Sequence, residues 1–87
     1  MVSAAVEQGY ASAQGNLGSM YANGTGVPQD HVLAHMWFNL AASRSTGESR
    51  DDAVQNRDIV AGLMNPTQLA EAQRLAREWD AAHPREP

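Results

Sequence analysis

The segment Asn23 to Asp30, "NGTGVPQD", constrains this chain more than any other stretch. It sets two glycines and a proline between two runs rich in helix-forming and apolar residues. Glycine enters the left-handed backbone region without steric cost, so Gly24 falls where a helix C-terminal cap is needed. Pro28 has no amide hydrogen and stops the first helix from running on. Asp30 can cap a second helix, its carboxylate accepting N–H bonds at the positive end. The segment reads as a tight corner between two helices. A ligand-binding glycine loop is the competing reading.

Helical patterning covers the rest of the chain, and no alternating β-branched run suggests a strand. A first helix is expected from about Ala11 to Asn23, with Ala13, Leu17, Met20 and Tyr21 on one face. The second, from about His31 to Arg44, carries the stripe Leu33, Trp37, Leu40 and Ala41. Ala34 and Met36 widen that stripe, so this helix should be covered on more than one side. The tract "SRSTGES" breaks the pattern, and Ser45 with Glu48 has capping-box spacing for a third helix starting near Gly47. That helix, to about Met64, has a narrow apolar edge of Ala53, Val60, Leu63 and Met64. Arg50, Asp51, Asp52, Arg57 and Asp58 form its solvated face, with local ion pairs. Asn65, Pro66 and Gln68 give a clear start for a fourth helix: cap, proline in the first turn, amide three residues after the cap. Leu69, Ala72, Leu75, Ala76 and Trp79 share one side of it, and it should end near Ala82. Residues 83–87 should fray.

The fold class that follows is all-α, with about four helices in antiparallel hairpins. Eighty-seven residues suit one small domain with a limited core. The absence of cysteine excludes disulfides, thiolate metal sites and cysteine nucleophiles. The net charge is −4, and all six basic residues are scattered arginines, so no basic face is available to displace counterions from nucleic acid. No segment reaches the roughly 18 apolar residues of a membrane span. The start, "MVSAAVEQGY", has no basic residue before its apolar run and does not read as a signal peptide. The expected location is cytoplasmic, or periplasmic if the chain was cut from a longer secreted precursor.

An internal similarity adds to this picture. "AAVEQG" at Ala4 to Gly9 and "AASRSTG" at Ala41 to Gly47 both set paired alanines before a glycine, and the two glycines are 38 residues apart. That period suits a helical-hairpin repeat. The stretch "AQGNLGSMYANGTGVPQDHVLAHMWFNLAA" resembles a Sel-one-like repeat, a relative of the tetratricopeptide repeat, through Ala13, Gln14, Leu17, Gly18, Tyr21, Gly24, Gly26, Val27, Asp30, Ala34, Trp37, Ala41 and Ala42. The tail "NRDIVAGLMNPTQLAEAQRLAREW" is similar to the helical pair that often closes such arrays in bacterial members. The resemblance implies a piece of α-solenoid: residues 1–9 the remnant of a preceding repeat helix, 10–47 one repeat, 48–82 a C-terminal capping pair, 83–87 a frayed tail. Leu17, Gly18, Tyr21, Gly24, Gly26, Ala34, Trp37 and Ala41 would be the repeat-defining packing residues. Members usually stack several repeats, whereas this chain shows one and a remnant.

Gly18 inside a helix costs about 1 kcal/mol relative to alanine, which is tolerable where a facing helix must come close. Small Ala34, Ala41 and Ala42 fit that demand, and the aromatic residues, Trp37 and Trp79 included, read as packing. His31 and His35 stand four apart beside Asp30, a spacing that can bind a metal. No third ligand accompanies them, and Val32 stands where a helical zinc-protease motif has glutamate. "GNLGSMYANGTG" has neither the lysine nor the preceding strand of a phosphate cradle. Asp51 and Asp52 read as solvated charge, and no serine sits in a nucleophile elbow. No catalytic residue, cofactor or metal site is assigned.

What remains is recognition. The resemblance implies a non-catalytic protein–protein interaction module of the scaffold or adaptor kind, with another protein or peptide as partner. The first-helix face with Asn16, Ser19, Met20 and Asn23 is the expected contact surface. Gln14 and Asn39 are further polar candidates, although Gln14 could instead satisfy buried backbone. A second expectation is a homodimer, since a lone repeat leaves the outer side of its first helix uncovered. A weak metal-binding or hydrolytic protein using His31 and His35 is the third.

Overall fold

The computed structural model describes the backbone of residues 4–84 and the side chains from Tyr10 onward. Its four helices are α1 (Ala4–Asn23), α2 (His31–Ser43), α3 (Gly47–Ala61) and α4 (Pro66–Ala82), and the described residues include no strand. The all-helical expectation holds. The first helix is longer than expected, because it passes through Gly9 without a break. Residues 4–9 are therefore the opening turns of α1 rather than the end of a separate helix. The expectations for residues 1–3 and 85–87 lie outside the described residues.

The corner closes as its chemistry demands. Gly24 and Gly26 take left-handed backbone angles, φ 69° and 77°. The Thr25 amide donates to the Met20 carbonyl at 3.0 Å, the six-to-one bond of a Schellman cap. The Asp30 amide then donates to Tyr21 O at 2.9 Å, and Gln29 Nε2 to Ala22 O at 2.9 Å, drawing the start of α2 back onto the end of α1. Asp30 Oδ1 accepts the Leu33 amide at 3.1 Å and caps α2.

Helix α2 is the axis of the molecule. It packs against α1, α3 and α4, whereas those three make little contact with one another. Ala34, His35, Met36, Phe38, Leu40, Ala41 and Ala42 are all buried, which no single stripe of a helix accounts for. Towards α1 and α3 lie Ala34 and Phe38 with Val60, flanked by Tyr21, Ala22 and Met64. Ala41 and Ala42 meet Ala53 near the start of α3. Towards α4 lie Met36 and Leu40 with Ala76, flanked by Leu33, Trp37, Leu75 and Trp79.

The buried face of α1 differs from the expected one. Ala11, Gln14 and Gly18 are buried, Leu17, Met20 and Tyr21 are half-buried, and Ala13 is exposed. The closest side of α1 thus carries two small residues and a glutamine. Gly18 itself meets Phe38 rather than the alanines: a Cβ there would stand 2.7 Å from Phe38 Cδ1. The third helix departs from expectation in three places. Its N-cap is Thr46, with no side-chain cap bond, because Ser45 Oγ donates back to Ala41 O at 2.6 Å. It ends at Ala61, and Leu63 beyond it is 65% exposed instead of packed. Of its charged residues, Arg57 pairs with Asp58 and also bonds Asn39 Oδ1 at 3.1 Å.

Helix α4 begins with the full capping box of Asn65 and Gln68. Its far end is fastened by Trp79, which sits 5.7 Å from Trp37 and 6.1 Å from Tyr10 between ring centroids. The Arg44 guanidinium lies 5.3 Å from the Trp79 ring and 5.6 Å from Tyr10, and bonds Asp80 Oδ1 at 3.1 Å. His83, expected to fray, stacks on Trp79 at 4.1 Å. Its carbonyl accepts a bond from Arg44 at 3.1 Å. Trp37 and Trp79 are packing residues in this clasp.

Candidate functional site

Because α1 and α3 both lean on α2 and scarcely touch each other, a cleft of about 280 Å³ remains between them. Phe38, Ala41 and Ser45 at the α2 end form its floor, Ala11, Ser12, Gly15, Asn16 and Ser19 one wall, and Ser49, Asp52, Ala53 and Asn56 the other. The floor is buried and apolar apart from Ser45, whose hydroxyl is spent on Ala41. Ser12, Asn16 and Ser19 on one wall and Ser49, Asp52 and Asn56 on the other are exposed and polar, whereas Ala11 and Ala53 are buried, and Asp52 is the one ionisable group among the lining residues. At Gly15 a Cβ would meet nothing within 4 Å. The α1 wall therefore presents bare backbone to the cleft.

This places the expected contact residues. Asn16 and Ser19 line the cleft, while Met20 and Asn23 lie outside its lining, Met20 against the Gly26 corner and Asn23 exposed at the end of α1. Asn39 is occupied by Arg57. Gln14 is neither a surface group nor a backbone partner: it is 3% exposed, and its carboxamide meets no hydrogen-bond partner among the described residues. Of the packing residues, Gly18, Ala34 and Ala41 are buried, Leu17, Tyr21 and Trp37 half-buried, and Gly24 and Gly26 form the exposed corner. The α3 wall, with Asp52 and Asn56, was hidden from sequence reasoning, which saw only a polar helix. Ser49, Asp52 and Asn56 do follow the helical spacing i, i+3, i+7, a stripe visible in the chain once its facing helix is known.

The two histidines differ in burial, His31 being half-buried and His35 buried. His35 is 4% exposed, and Nδ1 has no hydrogen-bond partner among the described residues. Burial lowers its pKa below the usual histidine value, the Arg57 charge lowers it further, and Asp58 partly offsets both. A buried imidazole beside a guanidinium is poorly placed to receive a cation. Among the described residues no three His, Asp or Glu side chains gather to hold a metal ion, and no helix is long and apolar enough to cross a membrane.

The family comparison meets the structure at the hairpin. Residues 11–45 match the Sel1 repeat, a span that takes in α1 from Ala11, the glycine corner, all of α2 and the Ser45 turn. Comparison with curated proteins and with solved structures gave no match. The α1–α2 hairpin of this chain is thus similar to a Sel1 repeat.

Proposed function

We propose that the chain is a non-catalytic interaction module that takes a protein partner along the α1–α3 cleft. Sel1 repeats mediate protein–protein interaction, which supports a protein as the partner. The observation that carries the reading is the cleft itself. The fold buries apolar side chains on several sides of α2 and leaves a channel between α1 and α3 over Phe38 and Ala41. Asn16, Ser19, Asp52 and Asn56 offer exposed donors and acceptors along it. Paired polar walls over an apolar floor give a partner orientation as well as burial.

The test is capture from source-cell extract with the chain immobilised, comparing it with Asn16→Ala/Asn56→Ala. Proteins retained by the parent and lost by the double variant support the cleft. Capture unchanged by it moves the interface elsewhere.

A second copy of the chain is the competing partner. Ile59 and Leu63 are 61% and 65% exposed, and large aliphatic side chains in that state favour burial against another surface. Sedimentation equilibrium separates the two readings: a monomer at high micromolar concentration removes the homodimer.

A further inference from the structure

We infer that a second groove, between α2 and α4, holds a glutamate side chain of a protein partner. It lies on the far side of α2 from the cleft and is independent of what the cleft binds.

The groove encloses about 300 Å³. Leu40 and Ala76 form its floor, 1% and 5% exposed. Asn39 and Ser43 edge it from α2, and Gln73, Arg77 and Asp80 edge it from α4. Successive residues of a helix turn by about 100°, so Ser43 is set about 200° round α2 from Ala41 on the cleft floor. The two recesses therefore open in opposite directions.

Three observations set its chemistry. First, the charge. Asp80 is compensated, since its Oδ1 accepts from Arg44 at 3.1 Å. Nearby, Arg57 pairs with Asp58, and Arg74 pairs with Glu71 and Glu78. Arg77 is exposed and has no ion-pair or hydrogen-bond partner among the described residues. One positive charge is left over at the rim.

Second, the direction of hydrogen bonding. Arg57 Nη1 donates to Asn39 Oδ1 at 3.1 Å, which takes up the carbonyl end and leaves the Nδ2 amide to donate. Gln73 is exposed and offers a second amide donor. Ser43 Oγ spends its proton on Leu40 O at 2.8 Å. An occupant thus meets donors from Asn39, Gln73 and Arg77 and has to bring acceptors.

Third, the size of the charge. A carboxylate brings one negative charge and two acceptor oxygens, which matches one guanidinium fork. A phosphate monoester carries about −1.5 to −2, more than one arginine balances beside Asp80. The floor has no polar group to satisfy, so the methylenes of a glutamate rest on Leu40 and Ala76 while its head reaches the rim.

The experiment is an NMR titration of the full chain at neutral pH, following the side-chain amides of Asn39 and Gln73 and the Arg77 Nε–H. The probes are Gly-Gly-Glu-Gly-Gly with both ends blocked, its glutamine and lysine counterparts, and pentaglycine with a free C-terminal carboxylate. The glutamate probe should give saturable shifts at all three groups, and the glutamine probe should bind about tenfold more weakly. Arg77→Gln should erase that preference, and Arg77→Glu should hand it to the lysine probe, a result that loss of folding does not mimic. Arg50 is the internal control: it is exposed and unpaired, but it stands among Asp51 and Asp58 and should not respond. Equal shifts around Arg50 reduce the effect to general charge attraction and overturn the site. Tighter binding of the free chain end than of glutamate overturns the side-chain assignment. No shift at about 10 mM probe, or shifts confined to the α1–α3 cleft, overturn the inference and leave the cleft reading intact. Concentration-dependent shifts without probe give the groove to a second copy and overturn it as well.

Discussion

Gly15 and Gly18 lie three residues apart on α1 in opposite surroundings. At Gly18 the helix is pressed so close to α2 that a methyl group would collide with the Phe38 ring. At Gly15 there is nothing to collide with. The two positions mark two regions, a dry seam between α1 and α2 and an open cleft between α1 and α3. The difference shows how one small residue type serves two ends: in the seam it admits a neighbour's side chain, in the cleft it leaves room for something outside the fold. Phe38 belongs to both regions, filling the notch at Gly18 and flooring the cleft.

That shared role makes Phe38→Ala the most disruptive test. Truncating a buried phenylalanine removes its transfer energy and leaves a cavity, about 3–5 kcal/mol together. For a chain of this size that is a large share of total stability. Chemical denaturation should show a greatly lowered midpoint. A midpoint within experimental error of the parent would mean that seam and cleft do not depend on one ring.

Gly18→Ala sharpens the same point with a smaller effect. Alanine gains about 1 kcal/mol of helix propensity, but overpacking a seam costs about 1–3 kcal/mol, so the net change should be destabilising. Phe38→Leu in the Gly18→Ala background should recover part of the loss, since a smaller side chain tolerates the added methyl. Additive losses in that double-mutant cycle would remove the contact from the explanation.

The seam between α2 and α3 should respond to pH through His35. The folded state holds its pKa below the unfolded-chain value of 6.5, mainly by desolvation and then by Arg57. The unfolded chain therefore binds more protons, and stability rises with pH across that interval. The contribution is complete above about pH 6.5 and is lost as pH falls towards the folded pKa. Melting temperature should fall on acidification within this window, and His35→Leu should flatten that fall. An identical slope in the variant would assign the pH dependence to other groups.

Much of the seam was legible in the sequence, and little of the cleft was. The corner at Gly24 to Asp30 and the cap at Asn65 to Gln68 are local: each needs a residue type at a fixed backbone position, and the structure supplies the bonds. The breadth of the α2 apolar surface also announced coverage on several sides. The face of α1 did not, because Gln14 and Gly18 outrank Leu17 in burial, and no hydropathy pattern ranks a glutamine as core. The Ser45–Glu48 cap failed because Ser45 had a nearer partner in the Ala41 carbonyl. The cleft escaped notice for a different reason. It exists only where α1 and α3 fail to meet, and absence of contact leaves no periodic mark on either helix.

Gly15→Ala is the quiet counterpart of Gly18→Ala. With open space at the Cβ position and helical backbone, it should stabilise by about 0.5–1 kcal/mol, the reverse sign of a substitution three residues away. Thermal and denaturant melts of both variants in one buffer give the comparison directly. Equal signs would mean that α1 is not held more closely on one side than on the other.

The smallest expected effect on folding falls on the cleft walls, and it discriminates most between fold and function. Asn16 and Asp52 are exposed and line the cleft, so Asn16→Ala and Asp52→Asn should change stability by no more than about 0.5 kcal/mol. A core built around α2 has no use for them. If they exist for recognition, their loss should appear in partner binding while the denaturation midpoint stays put. If the midpoint drops with the Asp52 change, the carboxylate is holding α3 in place, and the cleft wall is then part of the seam rather than its opposite.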